Sequence, residues 1–181
     1  MGYHTSIYAV DLQRLRSAFG SNDTQLLDEI AETCREAFAE SNEWFATEIA
    51  NGALTREAAL AELIRGTLSA AESSAFQYGY ALETLCRHVG TQLETDMLGE
   101  IGGIGLADEL ATSGPPVPIP PPDDFPVMGY LTHQQAAAEL HRIAASPPSH
   151  PEPSVRLAIE QLRSCLEHAS RQRVDLVAFC A

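Results

Sequence analysis

The sequence predicts an α+β fold: a predominantly helical single domain with a small sheet involving strands from the N- and C-terminal ends. Three observations predict it. A β-prone run, Ser6–Val10, opens the chain, and a second, Val174–Cys180, closes it. Between them, apolar residues recur every three or four positions, the period of a half-buried helix. The chain has 181 residues, 45% of them hydrophobic, enough for a core of its own.

The elements follow in order. Asp11 can cap a first helix carrying Leu12, Leu15 and Phe19, and Gly20 is a natural stop. A second helix starts near Asn22, with Gln25 at the capping-box position and Leu26, Ile30, Cys34 and Phe38 as its buried stripe. "SNEWFATEIANG" reads as a short third helix ending at Asn51-Gly52. Thr55 caps a fourth, closed by Gly66. "SAFQYGYALETLCRHVG" is a fifth, with Phe76, Leu82, Leu85, Cys86 and Val89 facing inward. Gly99 to Gly105 reads as a bend before a helical turn at Leu106–Ala111. Thr132 and Gln135 form a capping box for "THQQAAAELHRIAA". In the last helix Val155, Ala158, Ile159, Leu162, Cys165, Leu166 and Ala169 share one face, and the closing strand is expected beside the first.

All eleven prolines lie between Pro115 and Pro153, and all twelve glycines at or before Gly129. The shift could mark a boundary near residue 115. The piece beyond it holds only two helices and a strand, too little for a separate core. One domain over residues 1–181 is therefore expected, with a proline-rich ordered loop at 114–126 and a second proline-rich connection at 147–153. The first, "GPPVPIPPPDDFP", favours an extended polyproline path with little entropy to lose on ordering. It is expected to lie over the domain's own aromatics. Pro118 and Pro121 also satisfy P-x-x-P, a ligand pattern for aromatic grooves.

Charge excludes several functions. The formal net charge is -14, and every basic residue is arginine. Residues 1–114 carry 18 acidic residues against 6 arginines, and residues 115–181 carry 7 against 5. No basic stripe is present to neutralise phosphates, so nucleic acid is not an expected partner. An anionic membrane would repel the chain, and no apolar run approaches the length of a membrane span. A basic protein would be attracted. Cys34, Cys86, Cys165 and Cys180 read as buried reduced thiols, which points to the cytoplasm. Gly2 and Ser6 match a myristoylation pattern too short to weigh.

Chemical signatures are sparse. The glycine cluster Gly99–Gly105 lacks the lysine of a phosphate loop, and Asp108 stands where a dinucleotide fingerprint has its third glycine. Cys165 and His168 share a helix face at i, i+3, but Cys165 belongs to the apolar stripe, so no metal is expected. No nucleophile motif and no cofactor motif occurs. Trp44-Phe45 and Phe76, Tyr78 and Tyr80 sit at helical spacing and read as core anchors, with a lined pocket as the other reading. Glu32, Glu36, Glu40 and Glu43 form a ladder of like charges, a solvated face or the footprint of a basic partner.

"YAVDLQRLRSAFGS", "EWFATEIANG", "YGYALETLCRHVG", "GPPVPIPPPDDFPVMGYL" and "VDLVAFC" occur in this order. Together they resemble a family of small bacterial proteins known only as a domain of unknown function. The resemblance spans nearly the whole chain and implies a bacterial, single-domain, intracellular protein. It brings no activity, cofactor or catalytic residue. It also implies that the proline segment is more than a bare linker, since linkers tolerate change.

The function expected from these features is a protein–protein interaction module with a basic partner. The candidate binding residues are Asp123, Asp124, Tyr130 and His133 around the proline loop, and Glu32 and Glu36 on the acidic helix. The alternative is a small hydrolase with a site between the proline loop and the helices, where Asp123, Asp124, Tyr130 and His133 would supply the polar groups.

Overall fold

The computed structural model describes residues 4–69, 72–95, 106–148, 150 and 152–181. The glycine cluster Gly99–Gly105 and Gly2 of the myristoylation pattern lie outside them. In chain order the elements are β1 (Thr5–Val10), α1 (Leu12–Ala18), α2 (Thr24–Thr33), α3 (Arg35–Trp44), α4 (Ala46–Ala50) and α5 (Arg56–Arg65). A 3-10 turn (Glu72–Ser74), α6 (Ala75–Val89), β2 (Thr91–Gln92) and α7 (Glu109–Thr112) follow. The chain ends with β3 (Val127–Leu131), α8 (His133–Ala145), α9 (Pro153–Gln172) and β4 (Asp175–Cys180). This is an α+β fold, mostly helical. The described residues fall into two compact units: a sheet unit of Met1–Leu12, Gly90–Pro116 and Val127–Ala181, and a helical unit of Gln13–Val89 with Val117–Pro126.

The sheet unit is built on four antiparallel strands in the order β2-β1-β4-β3. The first and last strands pair over six residues, Thr5 opposite Cys180 through Val10 opposite Asp175. Alternation along each strand sorts the faces. Ile7 and Ala9 of β1 and Leu176 and Ala178 of β4 pack with the apolar stripe of α9, including Leu162, Cys165, Leu166 and Ala169. Tyr8 and Phe179 point to the other face, edge to face at 5.9 Å. The stripe read from the sequence of α9 is thus its buried face. Two strands are additional to the sequence reading. "VMGYL" forms β3 although Pro126 precedes it and Gly129 interrupts it, because β4 supplies a partner at every residue from Val127 to Leu131. β2 is only two residues long.

α8 starts with the expected capping box: the Thr132 side chain accepts from the Gln135 amide, and the Gln135 side chain accepts from the Thr132 amide. Midway along it, Glu139 does two tasks. Its carboxylate accepts from the backbone N–H of Ala107 at 2.8 Å and from Arg142. Ala107 has φ of 50°, a conformation that a residue with a Cβ adopts at a cost. The Arg142 hydrogen bond, helped by the Ala107 amide and opposed by burial, holds the Glu139 carboxyl below its usual range. A carboxyl depressed in the folded state contributes stability above its unfolded pKa and loses it as pH falls through the folded one. Glu139→Gln is therefore expected to cost about 1–2 kcal/mol at neutral pH and to cost less as pH falls below about 4. Urea unfolding of both proteins at pH 7 and pH 3 checks this; equal costs at both would refute it.

In the helical unit, α5 packs on α6, and α2 and α3 pack on α5. Thr55 caps α5 as expected, accepting from the Ala58 amide, and Gly66 ends it in the left-handed region. Gly66 also lies so close to Gly20 that a Cβ on it would stand 2.9 Å from the Gly20 Cα, so both stop signals meet at one backbone contact. The acidic helix differs from the sequence reading. The four-residue repeat from Leu26 to Phe38 is split at Cys34, whose φ/ψ of -103°/12° separates α2 from α3. A second irregularity at Phe45 separates α3 from α4, although its N–H still donates to Ser41 O and its carbonyl accepts from Ile49. Cys34 is half-buried, while Cys86, Cys165 and Cys180 are buried, all four outside any disulfide.

Candidate acidic–aromatic cavity

Three helical segments and the proline loop converge on one cavity of about 560 Å³ within the helical unit. The irregularity at Phe45, α4 and its C-cap bring in Phe45, Glu48 and Asn51. The 3-10 turn supplies Glu72 and Ser73. On α6, Phe76 and Tyr80 stand at i, i+4 and share a face. The proline loop adds Pro122, Asp123, Asp124 and Phe125. Of the segment "GPPVPIPPPDDFP", Pro122, Asp123, Asp124 and Phe125 share this cavity with aromatics of α6 and of the α3–α4 junction.

The rings touch one another. Phe45 is 4.9 Å from Phe76 and 5.6 Å from Tyr80 between centroids, and Phe76 meets Tyr80 near a right angle at 6.4 Å. Such tilted pairs add to the stability that burial alone provides. The guanidinium of Arg56 lies 4.8 Å from the Tyr80 centroid and is not among the lining groups. Burial pushes the Arg56 guanidinium below its ordinary pKa, with Glu83 opposing. Arginine nevertheless stays charged. Burial raises the Tyr80 phenol, so it is neutral at neutral pH. Glu48, Glu72, Asp123 and Asp124 are exposed. The described lining residues hence combine four carboxylates with four aromatic rings and include no basic residue.

The residues singled out in the sequence take different places. Asp123 and Asp124 line this cavity; Tyr130 and His133 do not, and belong to the sheet unit. Tyr130 lies in β3, its N–H donating to Ser113 Oγ at 2.7 Å. His133 is the first residue of α8, with Nδ1 3.3 Å from Asp175. Glu32 lines a second cavity, of about 640 Å³, with Asp28, Arg35 and Glu57. Glu36 is exposed on α3, beyond the break at Cys34. Trp44 is no core anchor: it is 76% exposed, because the α3–α4 junction turns Phe45 inward in its stead. Glu48 and Glu72 were not legible as site residues, and only their nearness in sequence to Phe45 and Phe76 could have pointed to them.

Other chemistry finds less support. Cys165 and His168 line a pocket of about 180 Å³ with Leu93, Glu94 and Ser164. Burial pushes the Cys165 thiol up to about 11 and the Cys86 thiol further, away from the thiolate a nucleophile needs. Among the described residues no group of three or more His, Cys, Asp or Glu could hold a metal ion. No described helix is long and apolar enough to cross a membrane.

The sequence matches, over residues 1–181, the family model described as a domain of unknown function, DUF7691. The chain belongs to this family. No curated protein and no solved structure matches it. In this DUF7691 chain the proline block, the "EWFATEIANG" segment and the "YGY" helix all contribute to the acidic–aromatic cavity.

Proposed function

We propose that this DUF7691 chain is a protein–protein interaction module that seats a basic group of its partner in the acidic–aromatic cavity. The observation that carries this reading is the lining: four carboxylates around four rings, with no basic residue among the described lining positions. Aromatic faces attract cations through their quadrupole, and carboxylates at the rim steer and hold them. The net charge of -14 adds long-range attraction for a basic partner. A bacterial cytoplasm is the setting we propose, in keeping with four cysteines outside any disulfide.

The test is an NMR titration of the protein with a short peptide of mixed arginine and lysine and with its glutamate counterpart, at low and high salt. Saturable shifts at Phe45, Phe76 and Tyr80 are expected with the basic peptide only, weakening as salt rises. The double substitution Asp123→Asn and Asp124→Asn is expected to weaken binding about fivefold, since each exposed ion pair is worth under about 1 kcal/mol. Shifts that do not saturate, or that spread evenly over the acidic surface, would overturn the reading.

A further inference from the structure

We infer that the group this cavity recognises is an arginine side chain of the partner protein, in preference to lysine. The inference rests on the interaction reading above and names its chemistry. Four features of the site carry it.

The first is a guanidinium already at the site. Arg56 stacks over Tyr80 at 4.8 Å, and its Nε is buried with no hydrogen-bond partner among the described residues. The protein thus already holds a partly dehydrated guanidinium against this ring. A guanidinium tolerates that because it is planar, delocalised and weakly hydrated, whereas an ammonium is compact and holds its water tightly. Arg56 lies outside the lining, so the part of Tyr80 that lines the cavity is left for a ligand.

The second is shape. The cavity offers flat surfaces, the rings of Phe45, Phe76, Tyr80 and Phe125 with the pyrrolidine of Pro122. Planar groups gain most from such surfaces. The third is the placement of charge. Asp123 and Asp124 are adjacent and exposed on the proline loop, while Glu48 and Glu72 enter from α4 and the 3-10 turn. Several carboxylates from separate segments suit a donor fork with five N–H groups better than a single ammonium. The fourth is size. About 560 Å³ is within the range of ligand pockets and leaves room for the arginine stem and its neighbouring backbone. That favours an arginine carried on a peptide chain.

The test uses the full chain and three peptides, Ac-Gly-Xaa-Gly-amide with arginine, lysine or citrulline as Xaa, at matched ionic strength. Binding is read from the amide shifts of Phe45, Phe76 and Tyr80. Citrulline keeps the shape of arginine without its charge. The arginine peptide is expected to bind at least fivefold more tightly than the lysine peptide, and the citrulline peptide to show no saturation. Tyr80→Leu is expected to erase the arginine preference. Because Tyr80 is half-buried, Asp123→Asn with Asp124→Asn, both exposed, provides a second variant, which should weaken arginine binding while the fold is kept. Lysine binding as tightly as arginine would overturn the inference and leave the basic-partner reading standing. Citrulline binding equal to arginine, or no saturable binding by either cationic peptide, would overturn both.

Discussion

Gly129→Ala is expected to destabilise the protein by about 3 kcal/mol, with the native sheet retained only in weakened form. Gly129 is the middle residue of β3, opposite Ala178. A Cβ built on it would fall on the backbone of α7, against the Glu109 carbonyl oxygen and the Leu110 carbonyl group. These are backbone atoms, so no rotamer change relieves the clash; α7 or β3 must shift. α7 carries Leu110 into the same core as Leu131, Leu162 and Leu176, so a shift there loosens the contacts of the whole cluster. The cost is one of space, unlike that at Gly52, where φ is 101° and nothing lies within 4 Å of an added Cβ. Urea unfolding with a far-UV readout measures it. A loss below about 1 kcal/mol would show that α7 yields freely and would refute this packing account.

Asp175→Ala is expected to cost about 2–3 kcal/mol. Asp175 begins β4, and its carboxylate serves the starts of two helices. One oxygen accepts from the Leu12 N–H at the beginning of α1 at 3.2 Å, the other from the His133 N–H at the beginning of α8 at 2.8 Å. His133 Nδ1 stands 3.3 Å from that second oxygen. The first amides of a helix have no partner within it, and the helix dipole favours a negative charge beside them. The Asp175 side chain is only 17% exposed, so water replaces it poorly. Asp175→Asn keeps one acceptor and should cost less than Asp175→Ala. Thermal unfolding of the two variants orders them. If alanine and asparagine proved equal and nearly neutral, the shared carboxylate would not be a tie between these elements.

Much of the fold was legible because it is encoded locally. The Thr132–Gln135 capping box, the Thr55 cap, the Gly66 stop and the stripe of α9 all act within one or two helical turns, where residue type and spacing decide the outcome. β3 was not legible: Pro126 and Gly129 lower its intrinsic strand preference, and only pairing with β4, some fifty residues later, overrides that. The breaks at Cys34 and Phe45 carried no glycine or proline to announce them.

The site divides in the same way. The expectation of an extended proline loop rests on proline's restricted backbone. Charge excluded nucleic acid from the sequence reading and favoured a basic partner. Such features are properties of each residue and its close neighbours, so the sequence expresses them directly. Which carboxylates meet which rings depends on distance in space. Phe45, Glu72, Tyr80 and Asp124 come from four separate segments, and Tyr130 and His133, close to Asp124 in sequence, belong to the sheet unit instead. Neighbours in the chain part and distant segments meet because burial rewards total apolar area removed from water and takes no account of sequence separation. The α+β class, the caps and the acidic character were therefore settled residue by residue, and the cavity came into being only with packing.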